Sequence, residues 1–205
     1  MSNQPEWIYS DKVKDHFMHP RNVLEDESGF AADGKGIIGN IKCGDEMLVV
    51  IKVDKSSGVI IECKWKTFGC ASAIASTSVL SELAIGKTLE EAYKLGSKDI
   101  AKALDGLPEH KIHCSVLGDK ALRAAIEDYY IKNGLSDKVA RQKEHVVCQC
   151  LGITDQEIEN EVLEGARNFY QLQERDKIGT VCGKCKEKAS ALIEEYVKKH
   201  FSGQA

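Results

Sequence analysis

No secretory leader is expected, since MSNQPEWIYSDK lacks the basic start and apolar run that such a segment needs. Nowhere does it approach the ~18 consecutive apolar residues of a membrane-spanning helix. It also lacks an excess of basic charge. The net charge of −4 argues against the basic face of a nucleic-acid binder and against a DNA-binding zinc finger. Neither an internal repeat nor a low-complexity tract is visible. These absences predict a cytoplasmic protein with no nucleic-acid or membrane partner. Its 205 residues suit one or two domains, each able to bury a core without disulfides.

What the chain does have is cysteine, eight in all. In a reducing cytosol, cysteines at this density serve metals or catalysis rather than staples. Seven fall into two groups. Cys148 and Cys150, in HVVCQCLG, and Cys182 and Cys185, in TVCGKCKEK, form C-x-C, a 31-residue gap, then C-x-x-C. Cys43, Cys70 and Cys114 stand singly, in KCGD, FGCAS and IHCS. Four thiolates in close pairs satisfy a metal completely. Three dispersed thiolates leave a site incomplete, so that it can be filled and emptied.

The polar segment NGLSDKVARQKEH, residues 133–145, has no apolar stripe and reads as a boundary. It predicts a first domain over 1–134, a linker over 135–145 and a second domain over 146–205. Met47–Val53 and Val59–Phe68 are β-branched and aromatic, and DKSSG between them reads as a hairpin turn. Alternation puts Val59, Ile61, Cys63, Trp65 and Thr67 on one face of the second strand. Helical patterns follow over Ala71–Leu83 and through Leu122, Ala125, Ile126 and Tyr129. The first domain is therefore expected to be α+β, a small antiparallel sheet packed with helices. The second is expected to be all-helical. Thr154 to Glu157 forms a capping box opening a segment through Leu163, and Gly165 stops it. Ala189, Leu192, Ile193, Tyr196 and Val197 stripe a last helix running to about His200.

In an extended C-x-C, both side chains point the same way, so Cys148 and Cys150 can serve one metal or adjacent irons. Cys182 and Cys185 lie in a Gly-containing turn at a helix start, where N–H groups and the helix dipole favour thiolate. Four cysteines without histidine fit tetrahedral zinc or a 2Fe–2S cluster. The bland alternative is zinc that merely staples a small domain.

Cys43 and Asp45, two apart, aim a thiolate and a carboxylate at one spot on extended chain. Cys70 precedes a helix, where its pKa should fall. Cys114 follows His113, and Ser115 is placed to cap the helix after it. Three soft ligands plus Asp45 or His113 would bind zinc or a cluster, and the harder ligand makes a poor permanent partner for a cluster. The competing reading is three buried cysteines acting as small hydrophobes. The polar neighbours of Cys43 and Cys114 oppose it. For Cys63, among apolar strand residues, it is the right one.

From about Tyr9 to Gly134 the chain resembles the U-type iron–sulfur cluster assembly scaffolds, in YSDKVKDHFMHPRNV, Cys43-Gly44-Asp45, KWKTFGCASAIASTS and KIHCSVLGDKALRAAI. Residues from about His145 to His200 resemble the bacterioferritin-associated-ferredoxin type of 2Fe–2S domain, and the two in this order resemble a NifU-type scaffold. The resemblance implies a transient 2Fe–2S or 4Fe–4S cluster on Cys43, Cys70 and Cys114, with Asp45 promoting release and zinc able to occupy the same site. It implies a permanent 2Fe–2S cluster on Cys148, Cys150, Cys182 and Cys185. It further implies a homodimer served by a cysteine desulfurase and an iron donor, delivering to apo iron–sulfur proteins.

Two departures stand out. Many NifU-type proteins carry a further domain with another C-x-x-C, and this sequence ends at FSGQA. The chaperone-binding segment Leu-Pro-Pro-Val-Lys of housekeeping scaffolds reads Leu107-Pro108-Glu109-His110-Lys111, which puts dependence on an Hsp70-type chaperone in doubt. The reading is a scaffold rather than a turnover enzyme, with Cys114 the favoured persulfide acceptor. The rivals are a structural zinc protein with two thiolate sites and a thiol oxidoreductase on Cys182 and Cys185. The second lacks the βαβ surroundings it would need.

Overall fold

Residues 9–40, 45–108, 111–139 and 145–201 are described in a computed structural model of the chain. They divide into two compact units at about residue 140. The first contains helix α1 (Asp11–Met18), strands β1 (Gly34–Asn40), β2 (Asp45–Asp54) and β3 (Val59–Phe68), then α2 (Ala71–Ala84), α3 (Leu89–Tyr93), α4 (Ser97–Ala103) and α5 (Ile112–Lys132). The sheet is an antiparallel meander in the order β1-β2-β3.

The β2–β3 hairpin closes as the sequence predicts. The Asp54 carboxylate accepts from Ser56 N–H at 3.1 Å and from the Ser57 hydroxyl at 2.6 Å, and Gly58 takes φ +69°. The strand alternation expected in β3 is corrected at one residue. Lys52 pairs with Glu62 but Val53 pairs with Ile60, so Ile61 is the extra residue of a bulge. The bulge shifts the phase, burying Ile60 and leaving Ile61 exposed, while Cys63 and Trp65 stay on the core face.

Strand β1 was not expected from sequence, because three glycines in GKGIIGN lower strand propensity. Its cause is long-range. A Cβ at Gly34 would lie 2.2 Å from the Ala125 carbonyl, and one at Gly36 2.2 Å from the Ala121 carbonyl. The two glycines therefore let α5 lie directly on the sheet edge. Met47, Val49, Ile51, Ile60 and Trp65 from the sheet meet Leu80 of α2 and Leu122 and Ile126 of α5 in one core. Each such aliphatic side chain, fully buried, contributes roughly 1.5–3 kcal/mol of transfer free energy. This packing seats the N-terminal ends of α2 and α5, which carry Cys70 and Cys114.

The segment expected to begin a linker at residue 135 starts as part of the first unit. Leu135 N–H donates to the Tyr130 carbonyl at 2.8 Å, and Lys138 pairs with Glu90 at 3.1 Å. Residues 140–144 of that linker lie outside the described residues.

The second unit holds β4 (Val146–Cys148), β5 (Ile153–Thr154), α6 (Asp155–Leu163), α7 (Phe169–Asp176) and α8 (Lys186–Phe201). The expectation of an all-helical domain is corrected. The C-x-C segment folds back so that Val146 pairs with Thr154 and Cys148 with Ile153, with Gly152 at φ +72° in the turn. The capping box is present, Thr154 accepting from Glu157 N–H at 3.2 Å and Glu157 from Thr154 N–H at 2.7 Å. Gly165, at φ +103°, follows the helix end. At the far end of α8, His200 and Lys199 reach the buried Glu159 carboxylate of α6 at 2.9 and 2.7 Å, which fixes the last helix against α6. Among the described residues no helix is long and apolar enough to cross a membrane.

Candidate functional site

Cys70 is the N-cap of α2 and stands half-buried. Cys114 lies in the first turn of α5, and its sulfur is 3.5 Å from that of Cys70 and 3.3 Å from His113 Nε2. Two residues 44 apart in sequence thus meet where two helices begin. The helix α5 starts at Ile112, two residues before Cys114. Ser115 is therefore inside it, donating back to the Ile112 carbonyl at 2.7 Å, and the capping role expected for Ser115 is corrected.

Cys43 lies outside the described residues. The backbone of Asp45 opens β2, and its neighbour Glu46 pairs with Phe68, two residues before Cys70. Nothing is described of the Asp45 side chain. In the segment before α5, Glu109 and His110 also lie outside the described residues, while Lys111 N–H donates to the Pro108 carbonyl at 2.7 Å.

The two first-unit thiols with assigned acidities are driven apart by their surroundings. A hydrogen bond from Cys114 is the largest influence on Cys70. The N–H of Ala73, the charge of Lys111 and the N–H of Ser72 add to it, and together they outweigh partial burial and hold its pKa at about 4. The two N–H groups act as dipoles, since no full capping hydrogen bond closes there. Burial alone pushes Cys63 up to about 12. A depressed pKa means the Cys70 thiolate is present at all pH above about 4 and is lost as pH falls through that value. Alkylation of the metal-free protein by iodoacetamide should therefore proceed at Cys70 at nearly the same rate from pH 8 to pH 6. An ordinary thiol slows about tenfold per pH unit below its pKa of ~8.5. Mass spectrometry of the labelled peptides checks this, and a tenfold decline per unit at Cys70 would contradict it.

In the second unit the four cysteines associate two by two. Cys150 and Cys182 sulfurs lie 3.3 Å apart, and Cys148 shares a hydrogen bond with Cys185. The Cys148–Cys185 pair is buried, whereas Cys150 and Cys182 are exposed. Burial raises Cys148, but N–H groups of Gly179 and Leu151 lead the opposing hydrogen bonds, and the net direction is down. For Cys182 the N–H of Lys184 leads, followed by a hydrogen bond from Cys150, and its pKa is lowered. One member of each pair is thus shifted toward thiolate. Among the described residues no group of three or more His, Cys, Asp or Glu side chains is placed to hold a single metal ion. All-sulfur donors in two pairs suit two bridged irons, each taking two thiolates, better than one tetrahedral zinc needing four at once.

One contributor escapes sequence reasoning. The ammonium of Lys111 acts on Cys70, 41 residues before it in the chain. The only sequence signal was a lysine closely preceding a His-Cys pair.

Residues 8–136 match the family model of the NifU-like N terminal domain, and residues 146–195 match the BFD-like [2Fe-2S] binding domain. The chain is 40% identical over 196 residues to a "Nitrogen fixation protein NifU" of Trichormus azollae, covering 92% of this chain and 64% of that protein. It is 52% identical over 132 residues to an "Iron-sulfur cluster assembly scaffold protein IscU 1" of Archaeoglobus fulgidus, covering 64% of this chain and 83% of that one. An "Iron sulfur cluster assembly protein 2, mitochondrial" of Saccharomyces cerevisiae is 46% identical over 129 residues, 63% of this chain and 82% of that protein. The chain thus spans somewhat under two thirds of the length of the NifU relative.

Proposed function

From the premise that this chain belongs to the NifU-like N-terminal domain family, we propose that it is a scaffold on which iron–sulfur clusters are built and then passed to apo-proteins. The observation that carries the proposal is the meeting of Cys70 and Cys114 at 3.5 Å, beside His113, at the starts of two helices. Two sulfurs this close can ligate one iron. With Cys43 and Asp45 as further ligands, the set would hold a cluster as cargo.

Sequence favours Cys114 as the persulfide acceptor, but its sulfur is fully buried. Cys70 is half-buried and already thiolate at neutral pH. We assign first attack to Cys70. Its thiolate forms a bond to the outer sulfur of a desulfurase persulfide, and the bond from that sulfur to the desulfurase cysteine breaks, releasing a thiolate. The partners are then a cysteine desulfurase, an iron donor and apo iron–sulfur proteins, in the cytoplasm. The chain binds and hands on; it is not assigned turnover of its own. In the second unit Cys148, Cys150, Cys182 and Cys185 would hold a resident 2Fe–2S cluster, which supplies one-electron chemistry when bound. The protein's part is to fix the four sulfurs in pairs and expose one of them. A homodimer is part of the proposal.

Asp45 tests the release step. A carboxylate oxygen is a harder ligand than sulfur and keeps bound iron exchangeable. After reconstitution and desalting, Asp45→Ala should retain about two more irons and matching sulfide per chain than the parent. Equal content in both would remove any release role for Asp45.

A further inference from the structure

The sulfur pairs of the second unit differ in access, one buried and one open to solvent. Around the open pair the surface is not what a closed structural site would show. Val181 and Leu151, each next to one of the open cysteines, are 68% and 43% exposed. Residues 177–188 carry four lysines and a single acid, in a chain whose net charge is −4. Lys184 stands close enough to act on both Cys150 and Cys182. Lys186 is held over the Phe169 and exposed Tyr170 rings, its Nζ 5.7 and 5.3 Å from their centroids. An apolar centre with cations at its rim is the composition of a small, transient docking surface.

Resting on the reading that these four cysteines hold a 2Fe–2S cluster, we infer that this face docks a one-electron carrier protein whose own cofactor edge is ringed by carboxylates. Val181 and Leu151 make the dry contact, and Lys184 and Lys186 set approach and orientation. The exposed Cys150 and Cys182 sulfurs are then the shortest route between the two cofactors. One electron leaves the reduced carrier, which is oxidised by one equivalent, and enters the oxidised cluster; no bond to either protein forms or breaks. Electrostatic steering of this kind acts on encounter and falls with salt.

The test uses the full chain carrying its resident cluster, with a small acidic flavodoxin as probe. Titration calorimetry gives Kd at low and at high salt, and stopped-flow absorbance gives the rate of reduction by the flavodoxin hydroquinone. Dithionite serves as a small reductant that needs no docking. The double variant Lys184→Glu/Lys186→Glu should weaken binding and slow flavodoxin-driven reduction by about tenfold or more at low salt. High salt should cost the parent a similar factor. Reduction by dithionite should slow far less than reduction by the flavodoxin, and the 2Fe–2S spectrum should persist. The variant Lys184→Gln/Lys186→Gln should fall between, which separates lost attraction from misfolding. Equal Kd in parent and charge-reversed chain would overturn the docking surface. So would a variant whose only change is weaker self-association in sedimentation, since that would make the face a contact between copies of this chain. A parent chain with no 2Fe–2S spectrum would instead remove the underlying reading of the site, and the inference with it.

Discussion

Assembly of a cluster from cysteine, iron and a desulfurase is expected to vanish in Cys43→Ala, Cys70→Ala and Cys114→Ala and to continue in Cys63→Ala. Cys70 and Cys114 share one spot at 3.5 Å, and neither has a substitute among the described residues nearby except His113. Removing Cys70 takes away a thiol held well below the ordinary range, at about 4. Its loss should stop sulfur entry as well as iron binding, because attack on a persulfide requires the thiolate. Cys114→Ala removes the hydrogen bond that most lowers the Cys70 pKa, so sulfur should enter at Cys70 more slowly, still detectable by mass, and no cluster should form. Cys63 is of another kind. It packs in the core on β3 with its thiol pushed up to about 12, so it neither ligates nor attacks at neutral pH. Cys63→Ala should cost on the order of 1 kcal/mol through a small cavity, visible as a lower melting temperature and nothing more. The assay is anaerobic reconstitution followed by transfer to an apo-ferredoxin, run on all four variants. The colour of the second unit should persist in each. If Cys63→Ala fails as completely as Cys114→Ala, the division between core and site cysteines is wrong.

The core place of Cys63 was legible in the sequence because strand alternation sets it on the face of Trp65 and away from Glu62 and Lys64. Local causes in general came through. The Asp54 hairpin, the Thr154 capping box and the Leu122–Ala125–Ile126 stripe each depend on residues within a few positions. What was not legible depends on distance along the chain. Strand β1 exists because Gly34 and Gly36 leave room for the carbonyls of Ala125 and Ala121, 91 and 85 residues later. The β3 bulge at Ile61 answers a register set by β2. The two-residue β5 is too short to leave a period, so the β4–β5 ribbon stayed hidden. The spacing C-x-C and C-x-x-C predicted a four-sulfur site, yet it carries no information on which sulfur meets which. The partnering of Cys150 with Cys182 and of Cys148 with Cys185, and the exposure of only the first pair, come from how the ribbon and the 179–185 turn face each other. The electrostatic help that Lys111 gives Cys70 belongs to the same class.

Iron in the second unit is expected to survive desalting at about two atoms per chain, and a fragment from His145 to Ala205 is expected to be red-brown on its own. The reasoning starts from size. The core of this unit is small, centred on Ile158, Leu172, Ile178 and Ile193. Domains of about this length draw only marginal stability from apolar burial, and a metal adds to it. The site sits where that help counts, tying the β4–β5 ribbon to the turn that opens α8. The two sulfur pairs should therefore respond differently to substitution. Cys148→Ala or Cys185→Ala removes a sulfur from the buried pair, and should abolish both the colour and the cooperative unfolding of the unit. Cys150→Ser or Cys182→Ser changes the exposed pair, where a hydroxyl and water can stand in. These variants should bleach or shift the spectrum while helical circular dichroism largely persists. Absorbance, iron and sulfide content and thermal melts on the fragment and its four variants measure this. A colourless parent fragment holding one zinc would sink the assignment, since zinc is d¹⁰ and binds four thiolates at a single centre. The two pairs would then be halves of one tetrahedral staple, and all four substitutions should unfold the unit alike.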